Sequence, residues 1–246
     1  WQKKLAKKAA VSASSCIAVS PSLGHLLSER LGIDNTHWKW IPNVVADRFI
    51  EPVSINKLDR PLRFLNLALM TENKGQLDLI NAFSTFLKLN VDAELWLAGD
   101  GPIRNQLEEK AKDLGIADKM KFIGLVEPSN VPELLENVDV MVVSSHYETF
   151  GVVAAEALMA GLPVIATRCG GPECIVEAGD GVLVPPKCPE ELGKAMKTLS
   201  LNLDNYDPVA ISKRAKSRFS KEAVANMLTM EYEKVLASDC FDDRSF

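Results

Sequence analysis

Val138-Asp139-Val140-Met141-Val142-Val143-Ser144-Ser145-His146-Tyr147-Glu148-Thr149-Phe150-Gly151-Val152-Val153-Ala154-Ala155-Glu156-Ala157-Leu158-Met159 is the stretch on which the fold turns. Its apolar run lacks polar alternation, which predicts a strand over 138–143 buried on both faces. A polar loop follows. Small and apolar residues then predict a helix beginning at about Phe150 and ending at Met159. A buried strand passing through a short loop into a helix is the repeating unit of an α/β sheet.

The unit recurs on both sides of that stretch. Strands are predicted at 16–20, 62–69, 94–98, 120–122, 163–167 and 181–184, and helices at 21–31, 76–89, 103–114, 131–136 and 190–199. Strands separated by helices require right-handed crossovers. The fold class is therefore α/β, a doubly wound parallel sheet. Ligands of such sheets bind beyond the carboxyl ends of the strands, where the strand-to-helix loops collect.

Residues 1–45 stand apart from this pattern. They read as a strand–helix pair followed by Trp38–Ile41 and the corner Pro42-Asn43, and a polar stretch from Glu51 to Pro61 then separates them from the next strand. The expected organisation is the tail of one domain with its linker (1–45), a ligand-binding domain (46–218), and a carboxy-terminal helix and tail (219–246). Ala223, Met227, Met230 and Val235 give that last helix an apolar face that must pack on something.

Composition narrows the function classes. Hydrophobic residues make up 47% of the 246 and charged residues 25%, enough for a sizeable core, and the net charge of −5 gives no general basic surface for nucleic acid. No apolar run approaches the roughly 20 residues that span a bilayer. Cys16, Cys169, Cys174, Cys188 and Cys240 are odd in number and lack a Cys-x-x-Cys spacing, which argues against a disulfide framework or a structural zinc and fits a reducing cytoplasm. Trp1–Lys8 does not read as a signal peptide. Its four lysines suit either a solvated helix or a peripheral contact with anionic lipid at the inner face of a membrane. The small apolar face favours the solvated helix.

Four loops at strand ends carry the candidate chemistry. At the start of the helix after Thr149, unpaired N–H groups and the positive end of the dipole suit a phosphate, and Gly151 allows close approach. Glu148 and Glu156 are eight positions apart (156 − 148), which at about 100° per residue leaves them within roughly 80° of one direction. As acceptor-only groups, they suit a ribose or a hexose. Read blandly, Glu148 is a helix cap and Glu156 a helix-surface residue, and the stretch alone does not choose. Thr167–Glu173 contains Gly170-Gly171 before an expected helix whose first turn holds Pro172 and Glu173. Ala98-Gly99-Asp100-Gly101-Pro102 alone means only a tight corner. Asn73-Lys74-Gly75 offers a cation to a diphosphate.

Taken together, Lys74-Gly75, Gly99-Asp100-Gly101-Pro102, Phe122-Ile123-Gly124, Glu148-x-Phe150-Gly151 with Glu156-Ala157, Gly161-x-Pro163-Val164, Gly170-Gly171 and Gly181-x-Leu183-Val184 resemble the family 4 retaining glycosyltransferases of GT-B fold, over about Ser15 to the final helix. The resemblance implies a Rossmann-like carboxy-terminal half with a remnant of the amino-terminal domain, Pro42-Asn43 matching the family's interdomain corner. It further implies that Glu148 bonds the donor sugar and Glu156 the ribose. Phe150 and Gly151, flanked by Thr149, would hold the diphosphate with Lys74. Backbone at Leu125 or Val126 would meet the base, and Gly99 and Gly101 would belong to the donor site. The family uses no divalent metal and no other cofactor, and retains configuration by departure and attack on one face of the sugar.

Two departures from the pattern stand out. Ala68-Leu69 occupies the place of the family's Gly-Arg, whose arginine joins the lysine on the phosphates, with Arg168 as a candidate substitute. The acceptor half, with its glycine-rich loop and catalytic histidine, is not among these residues; His25, His37 and His146 do not match that position. The readings in order are a hexosyltransferase donor domain, incomplete by itself, whose glycan or lipid-linked acceptor is held by the other half; a binding module that has lost its chemistry; and a sugar-nucleotide epimerase. A dinucleotide dehydrogenase ranks last, because no Gly-x-Gly-x-x-Gly follows a strand.

Overall fold

The computed structural model describes residues 2–46, 52 and 60–242, with side chains to 237. Most of the expected linker between Glu51 and Pro61 lies outside the described residues. The body of the molecule is a six-stranded parallel sheet. Its strands are β3 (Leu62–Leu67), β4 (Ala93–Ala98), β5 (Met120–Gly124), β6 (Val140–Val143), β7 (Val164–Thr167) and β8 (Gly181–Val184), in the spatial order β5-β4-β3-β6-β7-β8. Every residue of β6 and β7 is buried, whereas the edge strands β5 and β8 are mostly half-buried. The unbroken apolar runs are thus the interior strands.

The two-residue period of a strand divides the core into two layers. Phe64, Leu95, Leu97, Val140, Val142 and Ile165 point to one face. There they meet Leu79, Ile80, Phe83 and Phe86 of α3 (Gln76–Leu87), Leu107 of α4 (Arg104–Asp113) and Leu192, Met196 and Leu199 of α7 (Pro189–Leu201). Leu65, Trp96, Met141, Val143, Val164 and Ala166 point the other way. Their partners are Leu135 of α5 (Val131–Glu136), Ala154–Met159 of α6 (Val152–Met159) and Ile211, Ala215 and Phe219 of α8 (Pro208–Phe219). This is the doubly wound sheet expected from the sequence.

The chain leaves β3 toward β4 and β5, then returns to the other side of β3 as β6. The strand order reverses there. The helices that follow β3 and β6, α3 and α6, pack on opposite faces of the sheet, and such a reversal point opens a crevice at the carboxyl ends of the strands.

Residues 2–46 form α1 (Gln2–Ser12), β1 (Cys16–Ala18), α2 (Pro21–Leu31) and β2 (Trp38–Trp40), with β1 and β2 paired in parallel outside the large sheet. Val45 is buried in the second core layer, and its N–H donates to Phe219 O at 2.9 Å. After α8 comes α9 (Lys221–Asp242), whose Glu231 accepts from Ser15 Oγ at 2.6 Å. On α9 Val224 is buried but Met230 is exposed.

The structure corrects several local expectations. The helix expected at Phe150 begins at Val152, because Gly151 takes a left-handed φ of 96° as its cap. Glu148 is therefore no cap. The helix expected after Gly171 is only a 3-10 turn, Pro172–Cys174. Helix α8 was not anticipated, although Asp207 before Pro208 and apolar residues at 211, 215 and 219 carry its signal. Asp207 caps it by accepting from Val209 and Ala210 N–H.

Candidate functional site

The loop after β3 is shaped by its neighbours. Met70 is buried and its N–H donates to Asp100 O at 2.8 Å, while Leu69 is left 57% exposed. A Cβ on Gly99 would lie 2.0 Å from Ala68 O, and one on Gly101 2.3 Å from Met70 O. Gly99 and Gly101 are therefore packing glycines that seat one loop on the other. They do not line the cleft described below.

The loop after β6 is stitched to the first. His146 N–H donates to Asn73 O at 2.7 Å, Asn73 Nδ2 to Tyr147 O at 3.0 Å, and Ser144 Oγ to Lys74 O at 2.8 Å. His146 Nε2 meets Asp78 Oδ2 at 2.7 Å, which gives this histidine a structural role at the root of α3. Gly75 carries φ 63°, and a Cβ there would approach Ser144 O to 2.1 Å; no other residue allows the two loops so close. Across this seam Lys74 Nζ and Glu148 Oε1 lie 2.5 Å apart, and Ser145 Oγ donates to the same oxygen at 2.8 Å. The pair is partly buried, so each charge is neutralised locally.

The loop after β7 closes the third side. Glu148 N–H donates to Cys169 O at 3.0 Å and Gly171 N–H to Glu148 O at 2.9 Å, while Glu173 holds Gly170 N–H at 2.9 Å. A Cβ on Gly171 would fall 2.0 Å from Phe150 O. The Phe150 ring is buried edge-to-face on Phe219, 5.8 Å between centroids. Burial pushes the Cys169 thiol up to about 11, and the Cys174 thiol likewise.

These loops enclose a cleft of about 380 Å³ lined by Leu69, Lys74, Ser145, Glu148, Thr149, Phe150 and Gly151, together with Asn43 from the amino-terminal segment. The structure thus brings together Lys74, Glu148, Thr149, Phe150 and Gly151. Glu156 is not a helix-surface residue: it is only 7% exposed, further along α6, and does not line this cleft. Leu125 and Val126 line a separate hollow of about 460 Å³ with Trp96, Lys121 and Glu133. Arg168 is exposed and does not line the cleft.

Sequence reasoning missed Ser145 and Asn66. Asn66 is a buried polar residue in an apolar strand, and its Nδ2 donates to Val142 O at 2.9 Å across the reversal point. A lone asparagine inside a buried strand was the available signal. Among the described residues no three His, Cys, Asp or Glu side chains group to hold a metal, and no helix is long and apolar enough to cross a membrane.

Residues 47–218 match the family model described as glycosyl transferases group 1. The mannosylfructose-phosphate synthase of Agrobacterium fabrum is 34% identical over 198 residues, covering 73% of this chain and 43% of that protein. The N-acetyl-alpha-D-glucosaminyl L-malate synthase of Bacillus anthracis is 32% identical over 169 residues, 68% of this chain and 43% of its own length. This chain therefore spans less than half of either relative. Among solved structures, the lipopolysaccharide outer core galactosyltransferase WaaB superposes with a TM-score of 0.79 at 20% identity, over 90% of this chain and 62% of that one. HepE of Anabaena in complex with UDP superposes with a TM-score of 0.79 at 24% identity, over 90% and 64%. These two likenesses show the GT-B fold, and the family match extends over most of the sheet and its helices: the chain belongs to the group 1 glycosyl transferases.

Proposed function

We propose that this chain is the donor-binding part of a retaining hexosyltransferase, and that it holds a nucleoside-diphosphate sugar in the cleft at the strand reversal. The observation that carries this reading is the meeting of Lys74, Glu148 and the start of α6 in one cleft of about 380 Å³. A cation beside unpaired N–H groups fits a diphosphate, and a carboxylate held in place by Ser145 fits sugar hydroxyls. The solved HepE structures contain UDP, and one contains UDP and glucose, which supports the class of ligand.

In this reading the bond from the sugar's anomeric carbon to the diphosphate breaks, and the acceptor hydroxyl attacks that carbon from the same face. The hydroxyl proton passes to the departing diphosphate. Lys74 and the N–H groups of Phe150 and Gly151 stabilise charge on the leaving group. Glu148 orients the sugar. The acceptor, a glycan or lipid-linked hydroxyl, is held by the other half of the enzyme, in a cytoplasmic setting. The chemistry draws on no divalent metal. One observation favours a second reading, a module that binds donor weakly: Leu69, where the family pattern has arginine, is exposed in the cleft.

Calorimetric titration of the chain with UDP, GDP and ADP tests the proposal. One nucleotide should bind, and Lys74→Ala should weaken it by about tenfold to a hundredfold, the scale of one charge-assisted phosphate contact. Glu156→Ala should weaken it as well if Glu156 meets the ribose. Failure of all three nucleotides to bind at millimolar concentration would overturn the donor-site reading for this chain.

A further inference from the structure

Ser20, at the turn from β1 into α2, is fully buried and touches a loop 129 residues further along the chain. Its hydroxyl has two partners. Oγ accepts from Leu23 N–H at 3.2 Å, capping α2, and donates to the carbonyl oxygen of Thr149 at 2.6 Å. That carbonyl shares one planar trans peptide with the N–H of Phe150, so fixing the direction of one fixes the other, pointing the opposite way. Among the described residues no acceptor meets the Phe150 N–H. Thr149 and Phe150 both line the cleft. The start of α2 is also seated on the neighbouring turn, since a Cβ on Gly170 would lie 3.9 Å from that of Ser22.

We infer that Ser20 is a positioning residue for the donor's diphosphate: by holding the Thr149 carbonyl it aims the Phe150 N–H into the cleft. The inference rests on the donor-site reading above. It gives the amino-terminal segment a part in donor binding through a residue that never touches the donor. A peptide plane free to rotate would offer the phosphate an N–H in some conformers and a repelling carbonyl in others. A plane pinned by a buried hydroxyl offers only the donor group.

The test measures the binding of UDP, GDP and ADP, each beside its nucleoside, to the 246-residue chain and to three variants. Ser20→Ala removes both hydrogen bonds. Ser20→Gly removes the hydroxyl but leaves an acceptable cap, so the two variants differ in their risk to the fold. Asp207→Ala removes the cap of α8, at the opposite end of that helix from Phe219, as a control for lost stability. The expected result is that both Ser20 variants weaken the preferred diphosphate by about tenfold, one step of 1.4 kcal/mol. Nucleoside affinity should stay unchanged, and Asp207→Ala should change neither. Equal losses for nucleoside and diphosphate, or no loss in either variant, overturns the role of Ser20 while leaving the donor site standing. A wild-type chain that binds no nucleotide overturns the donor-site reading, and this inference with it.

Discussion

Leu69 places a hydrocarbon side chain, more than half exposed, in the same cleft as Lys74 and the first residues of α6. Exposure means that a longer side chain has room to extend without displacing the core. A guanidinium there would add a forked, permanently charged donor to a site whose one lining cation, among the described residues, is paired with Glu148. Leu69→Arg is therefore expected to raise affinity for the preferred nucleoside diphosphate by about tenfold. Nucleoside affinity should not move, which calorimetry on both ligands would read out. At this scale the sequence disclosed the types of residue but not their partners. Lys74 and Glu148 stood out because each follows a buried strand, yet they are 74 positions apart and nothing local announced their contact. Ser20 and Thr149 are further still. Such pairs depend on how the strands are ordered, which periodicity does not encode.

Elements were more legible than contacts, and their errors have local causes. Strands β6 and β7 and helices α2 and α5 follow from apolar runs and periods that no competing signal disturbs. The start of α6 was displaced because Phe150 looks helical in sequence, while its ring is needed against Phe219 and Gly151 takes the turn. Gly170-Gly171 suggested a loop but hid its reason. Gly171 has an ordinary helical φ of −78°, so conformation does not demand glycine there; the crossing of the Phe150 backbone does. Gly171→Ala would force a methyl group to within 2.0 Å of a carbonyl oxygen, and backbone cannot swing aside as a side chain can. The expected cost is about 1–3 kcal/mol in urea denaturation, the range for overpacking a tight core. Because the displaced backbone is that of Phe150, which lines the cleft, the proposed donor site predicts that diphosphate affinity falls in parallel. A variant with unchanged stability would show that the two loops can separate freely.

Over the whole molecule, the connection from Cys169 to Ile175 is where separate parts of the chain converge. Glu148 N–H reaches it from the β6 loop, Ser22 from α2, and Arg218 from α8, whose guanidinium donates to the carbonyls of Cys174 and Ile175. This convergence shields the thiols of Cys169 and Cys174. Desolvation raises both from an ordinary 9.0 to about 11, outweighing the opposing effects of Thr167 on Cys169 and of Arg218 on Cys174. The consequence for stability has a definite sign. Well below pH 9 the thiols are protonated in both the folded and unfolded chain and contribute no slope. Above it the unfolded chain releases protons that the folded chain retains, so stability falls as pH rises toward 11. Tyr206, raised by burial from an ordinary 10.0, and Lys119 and Lys194, raised by their carboxylate partners from an ordinary 10.5, add slopes of the same sign, so between pH 9 and 10 the thiol contribution is read as the difference between the wild type and a chain lacking the two thiols. Urea denaturation across that interval should show declining stability in the wild type and a shallower decline in Cys169→Ala/Cys174→Ala. An equal slope in the double variant would mean that these thiols meet water in the folded chain, and that the parts converging on this connection do not close over it.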